Sequence, residues 1–267
     1  MKKKKQKNRY TQIIEKIFLG HYKPGNTEVS FDRAEIANVA QDLGIQLPKN
    51  LGDVIYSFRY RTKLPETIRK KAPKRHEWVI RPAGRGKYKF VAVQMAVVVP
   101  SKMLAVTKIP DATPGVIDRY ALNDEQALLA KIRYNRLIDI FTGIACYSLQ
   151  NHLRTTVSGI GQVETDEIYI GIDKRGAHYI LPVQAKGGSD KIGIIQIEQD
   201  FAVCAEKFPN LICRPIAAQI KGTDFIAMFE FELTKNGIAI VCEKHYRLVI
   251  TDDLSPEELE VYRNRPA

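Results

Sequence analysis

Three polar side chains lie near the ends of two apolar segments of the sequence, and together they could act on a phosphate ester. Asp166 belongs to the acidic cluster Glu164–Glu167, and the apolar segment Tyr179–Gly188 carries Gln184-Ala185-Lys186 near its end. A carboxylate and an amide oxygen can both bind Mg²⁺, and an ammonium beside them can orient water or stabilise a charged phosphorane. These residue types therefore predict metal-assisted hydrolysis of a phosphodiester.

The two apolar segments have the character of neighbouring strands. Val163–Asp173 and Tyr179–Gly188 flank Lys174-Arg175-Gly176, which suits a tight turn. A hairpin of this kind would bring the Asp166 carboxylate beside the two polar side chains of the second strand, which share one face because side chains alternate. The alternative interpretation is an ordinary hairpin with charged residues at its solvent end.

The order of these residues resembles the PD-(D/E)XK nuclease superfamily, which includes restriction endonucleases, Holliday-junction resolvases and repair nucleases. The resemblance covers residues 121–233 and rests on Asp166, on Gln184-Ala185-Lys186 and on a following helix-forming segment with Gln196 and Gln199. It implies an α/β core with a central mixed sheet flanked by helices.

The resemblance also implies roles for single residues. Asp166 matches the metal-binding acid and Lys186 the catalytic lysine, while Gln184 stands where the family usually has Asp or Glu. Gln184 would then be a catalytic residue and a metal ligand that brings an oxygen without a negative charge. The carboxylates that could supply the missing charge are Glu164, Glu167 and Glu125.

Positive charge is concentrated in the first 120 of the 267 residues. They hold 25 lysines and arginines against 10 aspartates and glutamates, a net of +15, whereas the remainder holds 16 against 20, a net of −4. A basic segment favours a polyanionic partner, a property that ribosomal and membrane-surface proteins share with DNA-binding proteins. We expect the first half to bind double-stranded DNA and the carboxylates of the second half to serve a metal site.

Several features place the chain in a reducing, aqueous compartment. Apolar runs such as Val91–Pro100 fall short of the ~20 residues that cross a bilayer. The lysine-rich start has no apolar segment behind it, so residues 1–9 are expected to be a basic disordered tail and not a secretory signal. We expect a cytoplasmic protein whose widely spaced cysteines are free thiols: Cys146, Cys204, Cys213 and Cys242.

Residues 10–99 predict a small domain of three helices and a hairpin. Helical spacing of apolar residues marks Tyr10–Leu19, a second helix opened by Ser30 or Asp32 and closed by Gly44, and a third helix from about Asn50. The residues expected to contact DNA lie at the end of the third helix and at the hairpin tip: Arg59, Arg61, Lys63, Arg85 and Lys87. This pattern resembles a winged helix-turn-helix domain. The alternative is a helical cap with a solvated charged face.

The rest of the chain predicts a linker and a core. Prolines predict a linker over residues 100–120, and residues 121–267 are assigned to the nuclease domain. A long helix is expected over Asp124–Leu149 and a strand over Leu153–Gly161, with Arg154 as a further DNA-binding candidate. After the Lys186 strand, the expected elements are a helix at 193–207, strands at 211–218, 225–233 and 238–249, and a short helix near Ser255.

The combined prediction is a Mg²⁺-dependent endonuclease that cleaves duplex DNA, of the type II restriction class. Such enzymes usually act as dimers, so a homodimer is left open, and an adjacent DNA methyltransferase gene would favour restriction. Two alternatives remain at this point: a structure-specific repair or recombination nuclease, and a non-enzymatic winged-helix transcription regulator.

Overall fold

The computed structural model describes residues 8–120, 125–188, 190–222, 224–235 and 237–265, and the chain is a mixed α/β protein. It divides into two compact units. The first lies within Met1–Val97, Thr156–Val163 and Gly193–Ile195, and the second within Val98–Thr155, Glu164–Ile192 and Gln196–Ala267. Within the described ranges, no helix has both the length and the apolar character needed to cross a lipid bilayer.

The first unit combines short helices with a three-stranded antiparallel sheet. Its elements are α1 (Arg9–His21), β1 (Glu28–Asp32), α2 (Arg33–Asp42), α3 (Gly52–Tyr56), a π-helical turn (Ser57–Arg61), α4 (Glu66–Arg69), β2 (Glu77–Pro82) and β3 (Lys87–Val93). The two-residue strand β4 (Val97–Val98) follows. The sheet order is β1-β3-β2, and its core is closed by the apolar faces of the helices, among them Ile14, Phe18, Ile36 and Val54.

Local signals in the sequence explain most of these elements. Asp32 caps α2 in a capping box with Glu35, and Gly44 follows the helix with φ +64°, a conformation that suits glycine. The strand β1 was not expected, although Val29 and Phe31 alternate with exposed residues. Because β1 is only five residues long, its alternation is easily taken for the start of the next helix.

The expected disordered tail needs a correction at its end. Residues 1–7 lie outside the described residues, but Asn8 and Arg9 do not belong to a tail. The Asn8 side chain accepts a hydrogen bond from the Tyr10 backbone N–H and caps α1, which begins at Arg9.

The second unit contains most of the remaining elements. These are β5 (Val106–Pro110), α5 (Gly115–Tyr120), α6 (Glu125–Tyr134), α7 (Leu137–Thr142), β6 (Ala145–Val157), β7 (Gly161–Ile172), β8 (His178–Lys186), β9 (Ile192–Gly193) and α8 (Ile194–Lys207). They are followed by β10 (Ile212–Cys213), β11 (Ile216–Lys221), β12 (Phe225–Thr234), β13 (Gly237–Val249), a 3₁₀ turn (Thr251–Asp253) and α9 (Pro256–Arg263).

A mixed sheet organises this unit. Its order is β5-β13-β12-β11-β8-β7-β6, with β10 also pairing to β8. The pairs β8–β11 and β5–β13 are parallel, and β7–β8, β11–β12 and β12–β13 are antiparallel. The strand β8 is central, and seven consecutive residues from Tyr179 to Ala185 are buried. Leu181 and Val183 pack with α6 and α7 on one face, while Ile180 packs with Ile168 and Cys204 on the other.

Two expectations about residues 100–149 are corrected. The segment 100–120, expected to be a linker, contains β5 and α5, and β5 pairs with β13 in the sheet. The long helix expected over Asp124–Leu149 is two short helices followed by a strand. Arg136 and Gly143 adopt left-handed backbone conformations, with φ +49° and +69°, and these interrupt the helix on either side of α7. The next strand, β6, therefore begins before the predicted residue Leu153.

Candidate functional site

The β7–β8 hairpin and the start of α6 bring a lysine and two carboxylates together. Lys186 Nζ donates a hydrogen bond to Glu125 Oε1 at 2.9 Å and lies 3.9 Å from Asp166 Oδ2. Only 13% of the Lys186 side chain is exposed, and 16% of Asp166. The ammonium is therefore held mainly by two carboxylates and is largely removed from solvent, which is the placement that distinguishes this site from a solvated strand end.

Asp166 also ties the two strands together. The described backbone pairing of β7 with β8 runs from Ile172 and His178 to Glu167 and Val183. Just beyond that point the Asp166 carboxylate accepts a hydrogen bond from the Ala185 N–H at 2.8 Å. Burial raises the pKa of the Asp166 carboxyl, and the Lys186 ammonium and the Ala185 N–H oppose that rise.

Gln184 lies in a buried polar network beside this cluster. Its Nε2 lies 3.0 Å from both carboxylate oxygens of Asp200, a fully buried residue of α8, and its Oε1 accepts from Gln196 at 3.3 Å. Asp200 also accepts a hydrogen bond from the Thr165 hydroxyl at 2.6 Å. Burial raises the pKa of Asp200 to about 8, although the bonds from Thr165 and Gln184 work against that rise.

The other two carboxylates of the acidic cluster are engaged elsewhere. Glu164 is partly exposed and pairs with Arg154 at 3.0 Å. Glu167 is fully buried and pairs with Arg133 at 2.8 Å, and the Ser148 hydroxyl donates to the same oxygen at 2.6 Å. The carboxylate that shares the Lys186 ammonium with Asp166 is instead Glu125.

The side chains present limit how a divalent cation could be held. Within the described residues, no three His, Cys, Asp or Glu side chains gather closely enough to share a metal ion. Mg²⁺ commonly binds one or two carboxylates and completes its shell with water and substrate phosphate oxygens. Asp166 and Glu125 fit that requirement because both reach one ammonium, whereas Gln184 already has Asp200 and Gln196 as partners.

The candidate DNA-binding residues of the first unit form two groups. Arg59 and Arg61 lie on the π-helical turn, and Lys63 follows it. Arg85 and Lys87 lie at the tip between β2 and β3, where a hydrogen bond from the Ala83 N–H to the Lys87 carbonyl closes the turn. The sixth candidate, Arg154, lies on β6 in the second unit and pairs with Glu164.

Asp200 and Arg133 were not expected from the sequence. A signal for Asp200 was available, because it is a charged residue between apolar positions of α8 such as Ile197, Val203 and Cys204, all of which are buried. Arg133 had no comparable signal, since its partner Glu167 lies 34 residues further along the chain.

Comparisons with protein-family models, curated proteins and solved structures gave no match for this chain.

Proposed function

We propose that this protein is a Mg²⁺-dependent DNA endonuclease whose reaction centre is formed by Asp166, Glu125 and Lys186. The observation that carries the proposal is Lys186, whose side chain is only 13% exposed and whose ammonium lies within 3.9 Å of two carboxylates from different elements. A lysine this shielded is uncommon unless it is paired, and carboxyls whose pKa is shifted by burial beside a charge, as that of Asp166 is, occur preferentially at functional sites.

Each residue has a defined task in the proposed reaction. Asp166 and Glu125 would hold the cation, which, when bound, polarises the scissile phosphate and lowers the pKa of its water. Lys186 orients the attacking water and stabilises the charge that develops on the phosphate oxygens. Asp200 keeps Gln184 in place next to Ala185, whose N–H fixes Asp166.

The first unit would bind the DNA duplex. Its order α1-β1-α2-α3-α4-β2-β3, with β1 pairing to β3, supports a winged-helix assignment, to which the one-turn helix α4 is an addition. Arg59, Arg61 and Lys63 at the helix end and Arg85 and Lys87 at the hairpin tip would contact phosphates. The net charge of +15 over residues 1–120 supports the same assignment.

Within the nuclease class we propose a type II restriction endonuclease, because the chain joins a DNA-binding unit to a cleavage unit. This proposal includes a cytoplasmic location, and it leaves open a homodimer and a partner methyltransferase. A repair nuclease that recognises DNA structure is the second candidate, and the tyrosine and arginine cluster treated in the next subsection favours it.

The proposal is tested by incubating the purified protein with unmethylated plasmid DNA and Mg²⁺. We expect cleavage that EDTA abolishes and that Asp166→Ala lowers by at least about a hundredfold. The matched control is Asp173→Ala, which removes a carboxylate at the other end of the same hairpin and should leave the rate unchanged. A wild-type protein that leaves the plasmid intact, or an Asp166→Ala variant that cleaves normally, would contradict the proposal.

A further inference from the structure

Two tyrosines and two arginines form a cluster where α3 meets the π-helical turn of the first unit. The rings of Tyr56 and Tyr60 are 4.8 Å apart and tilted by 54°. The Arg61 guanidinium lies 5.0 Å from the Tyr56 ring centroid, and the Arg59 guanidinium lies 5.0 Å from that of Tyr60. Turns of π-helix are rare in proteins, and those that occur often lie at functional sites. They place side chains at a spacing that differs from that of an α-helix.

Among the described residues, the cations of this cluster have no acidic counterpart. Within the described part of the chain, no carboxylate lies at ion-pair distance from Arg59, Arg61 or the nearby Lys63. The Arg59 Nε and one terminal nitrogen are buried and have no hydrogen-bond acceptor among the described residues. The cations open to a ligand are Arg61 and Lys63, which are exposed, and phosphate oxygens bind such groups with favourable geometry.

The aromatic part of the cluster is accessible. Tyr56 is 47% exposed although its ring packs against that of Tyr60, so part of the ring is open to solvent. Aromatic rings interleaved with arginines are the combination on which nucleic acid bases stack, with the arginines adding cation–π attraction and phosphate contacts.

We infer that the Tyr56–Arg61 cluster is a stacking site for an unpaired base, so that the protein binds duplex DNA more tightly when a single-stranded segment adjoins it. In an intact duplex each base face is covered by its neighbours, and only groove edges and phosphates are exposed. A half-exposed tyrosine ring therefore finds no base face to stack on in an intact duplex, whereas an unpaired, unstacked base offers one. The inference rests on the proposed DNA-binding function and names its substrate class.

The test compares two DNA molecules: a blunt duplex, and the same duplex with a single-stranded thymidine tail. Affinities are measured by fluorescence anisotropy without divalent cations, so that cleavage plays no part. We expect the wild-type protein to bind the tailed DNA about tenfold more tightly than the blunt duplex. The Tyr56→Ala variant should lose this preference and retain its affinity for the blunt duplex, while Tyr56→Phe, which keeps the ring, should retain the preference.

Tyr120→Ala is the control, since Tyr120 is 72% exposed but belongs to the second unit. It should bind both DNA molecules as the wild type does. Equal wild-type affinity for the two DNA molecules, or a preference that survives Tyr56→Ala in a protein with an unchanged melting temperature, would overturn the inference and leave the proposed DNA binding intact. Failure of the wild type to bind either DNA would overturn both.

Discussion

The positive charge of Lys186 is compensated by two carboxylates and little by solvent, and this distinguishes the site from an exposed ion pair. The ammonium reaches Glu125 at 2.9 Å and Asp166 at 3.9 Å, so removing its charge would leave two carboxylates facing each other. Burial raises the pKa of the Asp166 carboxyl, and the Lys186 ammonium opposes that rise.

The buried carboxyl of Asp200 should make stability depend on pH. Burial raises its pKa from 3.8 to about 8, so between these values the folded protein holds a proton that the unfolded chain has released. The free energy of unfolding should then fall as pH rises through this window, by up to about 1.4 kcal/mol per pH unit. Denaturant titrations at pH 5 and pH 8 measure this fall. The fall in the free energy of unfolding should be smaller in Asp200→Asn. An identical pH dependence in both proteins would contradict the claim that Asp200 causes it.

A second prediction concerns Gln184, which occupies the position where the resembled family has an acid. Its Nε2 lies 3.0 Å from both Asp200 oxygens, so Gln184→Glu would place two carboxyls against each other in a buried site. We expect a loss of about 2–4 kcal/mol at pH 8 because the new carboxyl is buried beside Asp200 and cannot ionise there without cost. Thermal unfolding checks this. Adding Asp200→Asn should restore most of the stability, and a Gln184→Glu variant as stable as the wild type would argue against the network.

At the level of single residues, the sequence predicted contacts within the hairpin better than contacts between distant elements. Asp166 and Lys186 meet because a strand, a glycine turn and a second strand fix their distance, and all three are visible in the sequence. Glu125 was only one of several possible acids, since its distance from Lys186 depends on how α6 packs. Asp200 was missed because a charged residue in an amphipathic helix normally faces water.

Among the elements, helices α6 and α7 are separated by backbone conformations that the apolar pattern does not report. Although the step of five residues between Ile132 and Leu137 does not show helical spacing, Leu128 and Ile132 before the break at Arg136, and Leu137 and Phe141 after it, each do. The pattern therefore predicted one long helix. Gly143 is the clearer signal, because a glycine after a helix commonly marks its end, and β6 begins two residues later.

The role of Gly143 can be tested by Gly143→Ala. Its φ of +69° is unfavourable for alanine, while a Cβ at this position would meet no atom within 4 Å. We expect a loss of about 1 kcal/mol from backbone strain alone, measured by chemical denaturation. Gly115→Ala is the matched control in the same unit, because its φ is ordinary and its surroundings are also open. Equal effects of the two substitutions would contradict the explanation.

Other elements follow directly from local sequence. The strands β12 and β13 and the helix α8 lie within a few residues of their predicted limits, because each has a continuous apolar pattern and a clear turn on either side. The order of strands in the sheet was not predicted. The neighbours β8 and β11 are separated along the chain by a helix and two short strands, and nothing in their composition specifies a parallel pair.

For the whole molecule, the separation of charge between the two halves predicts how DNA binding depends on salt. Replacing Arg59, Arg61 and Lys63 by alanine should weaken binding to duplex DNA and lower the slope of log affinity against log salt by roughly two to three. The control replaces three exposed lysines of the second unit, Lys174, Lys191 and Lys221. This control changes the net charge equally, so an equal loss of affinity would show that binding follows total charge and not the first unit.

The central claim is that Lys186 acts on a scissile phosphate, and single-turnover cleavage by Lys186→Met tests it most directly. Methionine keeps most of the length of the lysine chain and removes its charge, so the hairpin should remain folded while the transition state loses its stabilising ammonium. We predict that the cleavage rate with Mg²⁺ falls by a factor of about a hundred or more, while DNA affinity measured with Ca²⁺ stays within about twofold of the wild-type value. Cleavage at a near wild-type rate would contradict the account.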